Sequence, residues 1–179
     1  MQDLNIVFAG FGGQGILFSG KVAAYAGLID NKEISWLPSY GPEMRGGTAN
    51  CSVCISDTPI GSPLVTNPNV LIAMNLPSLD KFINDVEEGG IVIIDSYLID
   101  KKVERDDVKV FYIPATRLAN EIGAPTLANM IITGKLIKET GAVSYDNLDD
   151  ALHKVVSAKH QNLFDLNKKA IECGYNYAD

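Results

Sequence analysis

Two glycine-rich stretches hold the residues best suited to chemistry in this chain. The first, Gly10-Phe11-Gly12-Gly13-Gln14-Gly15, follows an apolar run and opens a segment of helical periodicity. With no Cβ in the way, the backbone N–H groups of such a loop can approach a phosphate at the N-terminus of the helix. The second, Ser39-Tyr40-Gly41-Pro42-Glu43-Met44-Arg45-Gly46-Gly47, lies past the next strand. Pro42 stiffens it, Tyr40 offers a stacking platform, and Arg45 can fork onto a phosphate or carboxylate. Arg45 can equally pair with Glu43 or with a partner subunit. If the fold is wound in the usual way, both loops meet at one edge of a sheet.

Gly10, Gly12 and Gly15 satisfy G-x-G-x-x-G in a strand–loop–helix setting. A dinucleotide site also needs an acid at the end of the second strand, to hold ribose hydroxyls. That strand ends Trp36-Leu37-Pro38-Ser39 and supplies none. The alternative is that the glycines only permit tight strand–helix packing. No catalytic constellation accompanies the loops. His153 and His160 fall on late helices, and Asp95 ends a strand where it can face a ligand or cap the next segment. No zinc-protease motif, Walker loop or nucleophile elbow is present.

The three cysteines, Cys51, Cys54 and Cys173, are too few for a four-cysteine iron–sulfur cluster. Cys51 and Cys54 form C-x-x-C, but Thr48–Ile55 alternates like a strand, on which positions three apart face opposite sides. Ala49, Cys51, Val53 and Ile55 are expected toward the core, with Cys54 on the other face.

The elements that position these residues follow from hydrophobic period. Strands are expected at Leu4–Ala9, Glu33–Leu37 (stopped by Pro38), Thr48–Ile55, Val70–Met74, Ile91–Asp95 and Val108–Ile113. Helices are expected after Gly13, over Pro77–Val86, Ala115–Ile122 and Thr126–Thr140, from Ser144 as N-cap, and from about Ala158 to Gly174. The short connection between the second and third strands excludes a helical crossover, so that pair is expected to be antiparallel. The result is an α/β fold, a three-layer α/β/α sandwich with a mixed, mainly parallel sheet, read as one domain over residues 1–179. A net charge of −7 with no long basic run speaks against extended nucleic-acid or acidic-membrane binding. The N-terminus reads as entering a strand at once, and no apolar stretch is long enough to span a bilayer, so a cytoplasmic chain is expected.

The two loops, with Gly61-Ser62-Pro63, Asn129-Met130 and a helical C-terminus, resemble the gamma subunit of the 2-oxoacid:ferredoxin oxidoreductases over nearly the whole chain. The 2-oxoglutarate (KorC-like) branch is the most similar, with the pyruvate, indolepyruvate and 2-oxoisovalerate types close. The resemblance implies oxidative decarboxylation of a 2-oxoacid, transfer of the acyl group to coenzyme A and reduction of ferredoxin. It implies that thiamine diphosphate with Mg and the iron–sulfur clusters reside in alpha, beta and delta partners, and that ferredoxin is met only indirectly. For this chain it implies assembly and a coenzyme A role. The residues that would carry that role are Gly10, Gly12, Gly13, Gln14, Gly15, Ser39, Tyr40, Gly41 and Arg45. A docking role for both loops is the competing expectation. A free-standing Rossmann-type nucleotide-binding protein is the alternative from another class.

Overall fold

Strand β1 (Leu4–Gly10) runs through the middle of the sheet, and its second half is wholly buried. A computed structural model describes residues 3–39, 48–156 and 161–178. After β1 come helix α1 (Ile16–Ile29), β2 (Glu33–Ser39), β3 (Ala49–Ser56), β4 (Val70–Ala73), α2 (Leu76–Phe82), β5 (Ile91–Asp95) and β6 (Lys109–Ile113). Four helices finish the chain: α3 (Ala115–Glu121), α4 (Ala128–Thr140), α5 (Leu148–Val155) and α6 (Gln161–Tyr175). The six strands are ordered β2-β3-β1-β4-β5-β6. β3 is antiparallel to both neighbours and every other pair is parallel.

The strands are apolar on both faces because both are covered. Ile6 and Phe8 of β1, Ile72 of β4, Ile93 of β5 and Ile113 of β6 join one core with α1 and α3 to α6. Val7, Ala9, Leu71, Ala73, Val92 and Ile94 join a second core with Leu79 of α2 and Ile99. This is the expected three-layer α/β/α arrangement, with two very unequal helical layers. The thicker one is locked where α4 crosses α6. A Cβ on Gly174 would stand 1.7 Å from the Ile131 carbonyl oxygen, and one on Gly134 would stand 2.1 Å from that of Ile171. Only glycine permits this backbone contact.

Local details depart from the sequence pattern for identifiable reasons. β2 does not stop at Pro38 but continues to Ser39, pairing Pro38 with Cys51. β2 lies at the edge of the sheet, where a missing N–H need not break the ladder. The face of β3 opposite α1 carries Cys54, as expected, and is covered. Ser52, Cys54 and Ser56 are buried there, and the Cys54 thiol donates to the Ser62 carbonyl at 3.9 Å. The helix expected over Pro77–Val86 is α helical only to Phe82 and ends as a 3-10 turn over Ile83–Asp85. The helix expected from Thr126 begins at Ala128. Ser144 precedes a 3-10 turn (Tyr145–Asn147) but makes no side-chain cap. Instead the Asp30 carboxylate, at the end of α1, accepts from the Ser144 N–H at 2.5 Å and from the Asn147 amide.

Candidate functional site

The order of the strands reverses beside β1. The chain leaves β1 through α1 onto one face and leaves its neighbour β4 through α2 onto the other. Such a topological switch point opens a crevice at the carboxyl ends of the strands, where open α/β sheets bind ligands. The first glycine loop occupies that position. Gly10 pairs with Ala49 and Ser39 pairs with Asn50, so the ends of β1 and β2 lie at the same edge, separated by the start of β3. Both loops are thereby anchored at one edge, as the sequence implied. Tyr40, Gly41 and Arg45 of the second loop fall outside the described residues. Ser39 is described and exposed.

Each residue of the first loop has a distinct job. The Gln14 amide braces it internally: Oε1 accepts from the Phe11 N–H at 2.6 Å, and Nε2 donates to the Met74 carbonyl at 3.0 Å. Gln14 thus bridges the switch point from β1 to β4. Gly10 makes room for it, since a Cβ there would meet Gln14 Oε1 at 2.6 Å and Ile16 at 2.7 Å. Gly12 and Gly13 are exposed. Gly13 has φ +92° and open space around its missing Cβ, so it answers to backbone conformation alone. Gly15, with φ +75°, occupies the N-cap of α1, and no side chain caps that end. The first N–H groups of α1 are therefore not answered by a capping side chain, which is the electrostatic setting that suits an anion.

Asn129, which the sequence marked only as part of a resemblance, joins the loop from a distance of 114 residues. It opens α4 and is 3 % exposed. Its Nδ2 donates to the Gly15 carbonyl at 3.1 Å, and its own carbonyl accepts from Thr133 Oγ1 at 2.9 Å and Ser19 Oγ at 3.4 Å. A Cβ on Gly15 would come within 2.4 Å of Nδ2. Among the described residues, Asn129 Oδ1 is buried with no hydrogen-bond partner, and so are Nδ2 of Asn75 and Oγ of Ser78 beyond β4. Buried polar atoms are nearly always satisfied. These three flank the glycine loop from the α4 side and the α2 side. The only sequence signal for Asn129 was the Asn129-Met130 pair itself, because nothing in local patterning connects it with Gly15.

Asp95, the acid that ends β5, is wholly buried and serves the fold. Its carboxylate accepts from Thr116 Oγ1 at 2.6 Å, the Thr116 N–H at 3.2 Å and the Tyr97 N–H at 3.1 Å. It therefore ties the start of α3 to β5. Burial pushes its pKa above the ordinary carboxyl value, against the hydrogen bonds from Thr116 and Tyr97 that favour the charge. β2 ends without any acid, so the described edge supplies no free carboxylate at the position a ribose would require. His153 is exposed and stacks on the Phe164 ring at 4.1 Å, far along the chain from the loops, and His160 lies outside the described residues.

The cysteines do not converge. The Cys51 thiol points to α1, donating to the Ile16 carbonyl at 3.6 Å, while Cys54 reaches Ser62 on the opposite face. Burial pushes the Cys51 pKa up to about 12. A thiol held so firmly protonated is a poor nucleophile and a poor metal ligand. Among the described residues no group of three or more His, Cys, Asp or Glu side chains is placed to hold a metal ion, and no helix is long and apolar enough to cross a membrane.

Known proteins share this fold. The chain is 38% identical to the ketoisovalerate oxidoreductase subunit VorA of Methanothermobacter marburgensis over 99% of its length, yet spans only 37% of that protein. It is 40% identical to the 2-oxoglutarate synthase subunit KorC of Methanocaldococcus jannaschii, covering 83% of this chain and 81% of KorC. Among solved structures, the gamma subunit of a keto/oxoacid ferredoxin oxidoreductase from Geobacter sulfurreducens superposes with a TM-score of 0.83 at 30% identity, over 96% of each chain. The family model for pyruvate ferredoxin/flavodoxin oxidoreductase matches residues 5–177, and with relatives at this identity the chain belongs to that family.

Proposed function

We propose that the chain is the gamma subunit of a cytoplasmic, multi-subunit 2-oxoacid:ferredoxin oxidoreductase, with 2-oxoglutarate as its oxoacid. The observation that carries the reading is the match to KorC and to a gamma-subunit structure over most of both partners' lengths. The enzyme decarboxylates the oxoacid, joins the acyl group to coenzyme A and passes the electrons to ferredoxin. Thiamine diphosphate, Mg and iron–sulfur clusters supply that chemistry from the alpha, beta and delta subunits. Among the described residues, Cys51 and Cys54 point to opposite faces of β3, and the Asp95 carboxylate is engaged by Thr116 and Tyr97.

The contribution of this chain is to help hold coenzyme A. The exposed N–H groups around Gly12 and Gly13, with the uncapped start of α1, suit a pyrophosphate. Gln14 and Gly10 keep that loop open by packing beneath it, and Asn129 fixes Gly15. Arg45 and Tyr40, on the neighbouring loop with Ser39 and Gly41, would take the 3′-phosphate and the base.

The test is coenzyme A-dependent viologen reduction by the complex, assembled with and without this chain, on 2-oxoglutarate, 2-oxoisovalerate and pyruvate. Activity that requires the chain and is highest with 2-oxoglutarate is expected. Full activity without it would overturn the subunit reading. Within the intact complex, Arg45→Ala is expected to raise the KM for coenzyme A about tenfold or more, the cost of one lost charge-assisted contact. An unchanged KM would remove Arg45 from the coenzyme site.

A further inference from the structure

The two ends of the sheet differ sharply in charge. At the amino end, the turns carry Asp30, Lys32 and Glu33, then Glu87 and Glu88, then the run from Glu104 to Asp107. At the carboxyl end, the first residues after β1, β4 and β5 are Phe11–Gly15, Met74–Ser78 (running into α2) and Ser96–Ile99, and these stretches carry no charge, which returns with Asp80 on α2 and with Asp100 to Lys102. The segment Gly123–Leu127, which delivers α4 to this same end, is uncharged too. Asp95, which precedes Ser96, is wholly buried, while Asp100, which follows Ile99, is exposed. This occurs in a chain with 37 charged residues (15 basic plus 22 acidic) among 179. The charged pair Glu43 and Arg45 belongs to the neighbouring β2–β3 connection, outside the described residues.

The uncharged stretches are also where large apolar side chains stand in solvent. Phe11 is 47% exposed, Leu76 41%, Tyr97 56% and Leu98 44%. They follow β1, β4 and β5, three adjacent strands. The registers place Ala9 beside Ala73 and Ala73 beside Ile94, so these residues leave the sheet at nearly one level. With strands about 4.8 Å apart, they form a row along the crest rather than scattered single exposures. Depletion of charge combined with exposed aromatic and aliphatic side chains is the composition of an interface centre.

We infer that this crest is a docking face, and that its occupant is an uncharged, apolar surface of another subunit of the same oxidoreductase. The inference rests on the subunit reading above. The relatives indicate that further polypeptide accompanies this fold: it makes up only 37% of VorA from Methanothermobacter marburgensis and 36% of VorA from Methanothermobacter thermautotrophicus. A crest without charge matches a neutral partner and offers no steering to an acidic or basic one. The glycine loop then lies inside the seam between subunits, and the ligand site is completed on docking.

The experiment uses the whole complex, co-expressed and purified through a tag on a partner subunit. The double variant Tyr97→Asp/Leu98→Asp introduces charge at two exposed positions outside the proposed coenzyme site. It should keep the melting temperature of the isolated chain and associate at least about tenfold more weakly, because a carboxylate would be buried unpaired in an apolar contact. Leu28→Asp, 52% exposed at the far end of α1, and Leu163→Asp, 42% exposed on α6, should co-purify as wild type does. If the double variant co-purifies undiminished, the docking face is wrong while the subunit reading stands. If wild type never joins the complex, both fall. If the isolated wild type is a dimer that the double variant dissociates, the crest belongs to a second copy and the inference is overturned.

Discussion

At the scale of single residues, the glycines of the first loop divide by what would replace them. Gly13 and Gly15 both have positive φ, which costs an L residue about 1 kcal/mol. Only Gly15 also has a neighbour in the way, Asn129 Nδ2 at 2.4 Å from its absent Cβ. Gly13→Ala should therefore lower stability by about 1 kcal/mol, whereas Gly15→Ala adds an overpacking cost of about 1–3 kcal/mol to the same strain. Urea midpoints of the two variants check this, and equal losses would mean that Asn129 yields freely to a Cβ. The contrast also separates two meanings of one motif. Gly10 and Gly15 are needed for what packs against them, while Gly13 is needed for its backbone, and it is the exposed Gly12–Gly13 segment that a ligand can reach.

At the scale of elements, Asp95 shows how a strand end and a helix start are joined through a buried acid, and it gives the fold a pH signature. Its folded-state pKa is raised above the ordinary carboxyl value, chiefly by burial, so the folded state binds that proton more tightly than the unfolded chain does. Its contribution to stability is complete below the ordinary carboxyl range and is lost as pH rises through the raised value. Asp95→Asn cannot titrate, and its altered hydrogen bonds to Thr116 and Tyr97 add a constant offset. The stability of the Asn variant relative to wild type should therefore improve as pH rises from below the ordinary carboxyl range and level off above the raised pKa, measured by denaturant unfolding at each pH. A difference that stays flat would mean that the Thr116 and Tyr97 bonds outweigh burial. Elements of this kind were legible in the sequence wherever one period ran without interruption: β5 begins and ends where its apolar run does, and α3 follows Pro114 as expected. The antiparallel turn to β3 followed from loop length alone. What local pattern missed depends on distant partners. Pro38 remains in β2 because that strand is at the edge, and the Ser144 N–H and the Asn147 amide are tied to Asp30 at the end of α1, 114 and 117 residues away. The site divides along the same line. The glycine spacing announced the loop, whereas the Gln14 brace to Met74 and the Asn129 bond to Gly15 span 60 and 114 residues and leave no periodic trace.

At the scale of the whole molecule, the unequal layers imply unequal stability. One face of the sheet carries α1 and α3 to α6, with the glycine-tight crossing of α4 and α6 at its back. The other carries α2, its short 3-10 turn and partly buried side chains such as Val65, Val103 and Val108. The thin layer is held at its margin by Arg105, whose Nη1 donates to the carbonyls of Ile83 and Val86, both at 2.8 Å, while its guanidinium pairs with Asp107. The other ion pair there, Lys101 with Asp80, is exposed at both partners and adds little. Local opening takes place where few apolar contacts must be broken, so amides of α2 should exchange with deuterium faster than those of α4, by a factor set by the difference in buried surface. Arg105→Ala should widen the gap by releasing the end of the 3-10 turn, leaving α4 and α6 unchanged. Equal protection in α2 and α4 would show that the sheet and both layers open as one unit. The same measurement reaches the docking face. Leu76 starts α2, and Tyr97 and Leu98 lie on the next loop, so a partner seated on the crest would cover the margin of the thin layer. Exchange in α2 should then slow on entry into the complex while α6, on the opposite face of the sheet, keeps its rate. A uniform slowing of both helices would instead mean that assembly stabilises the fold globally rather than through this edge.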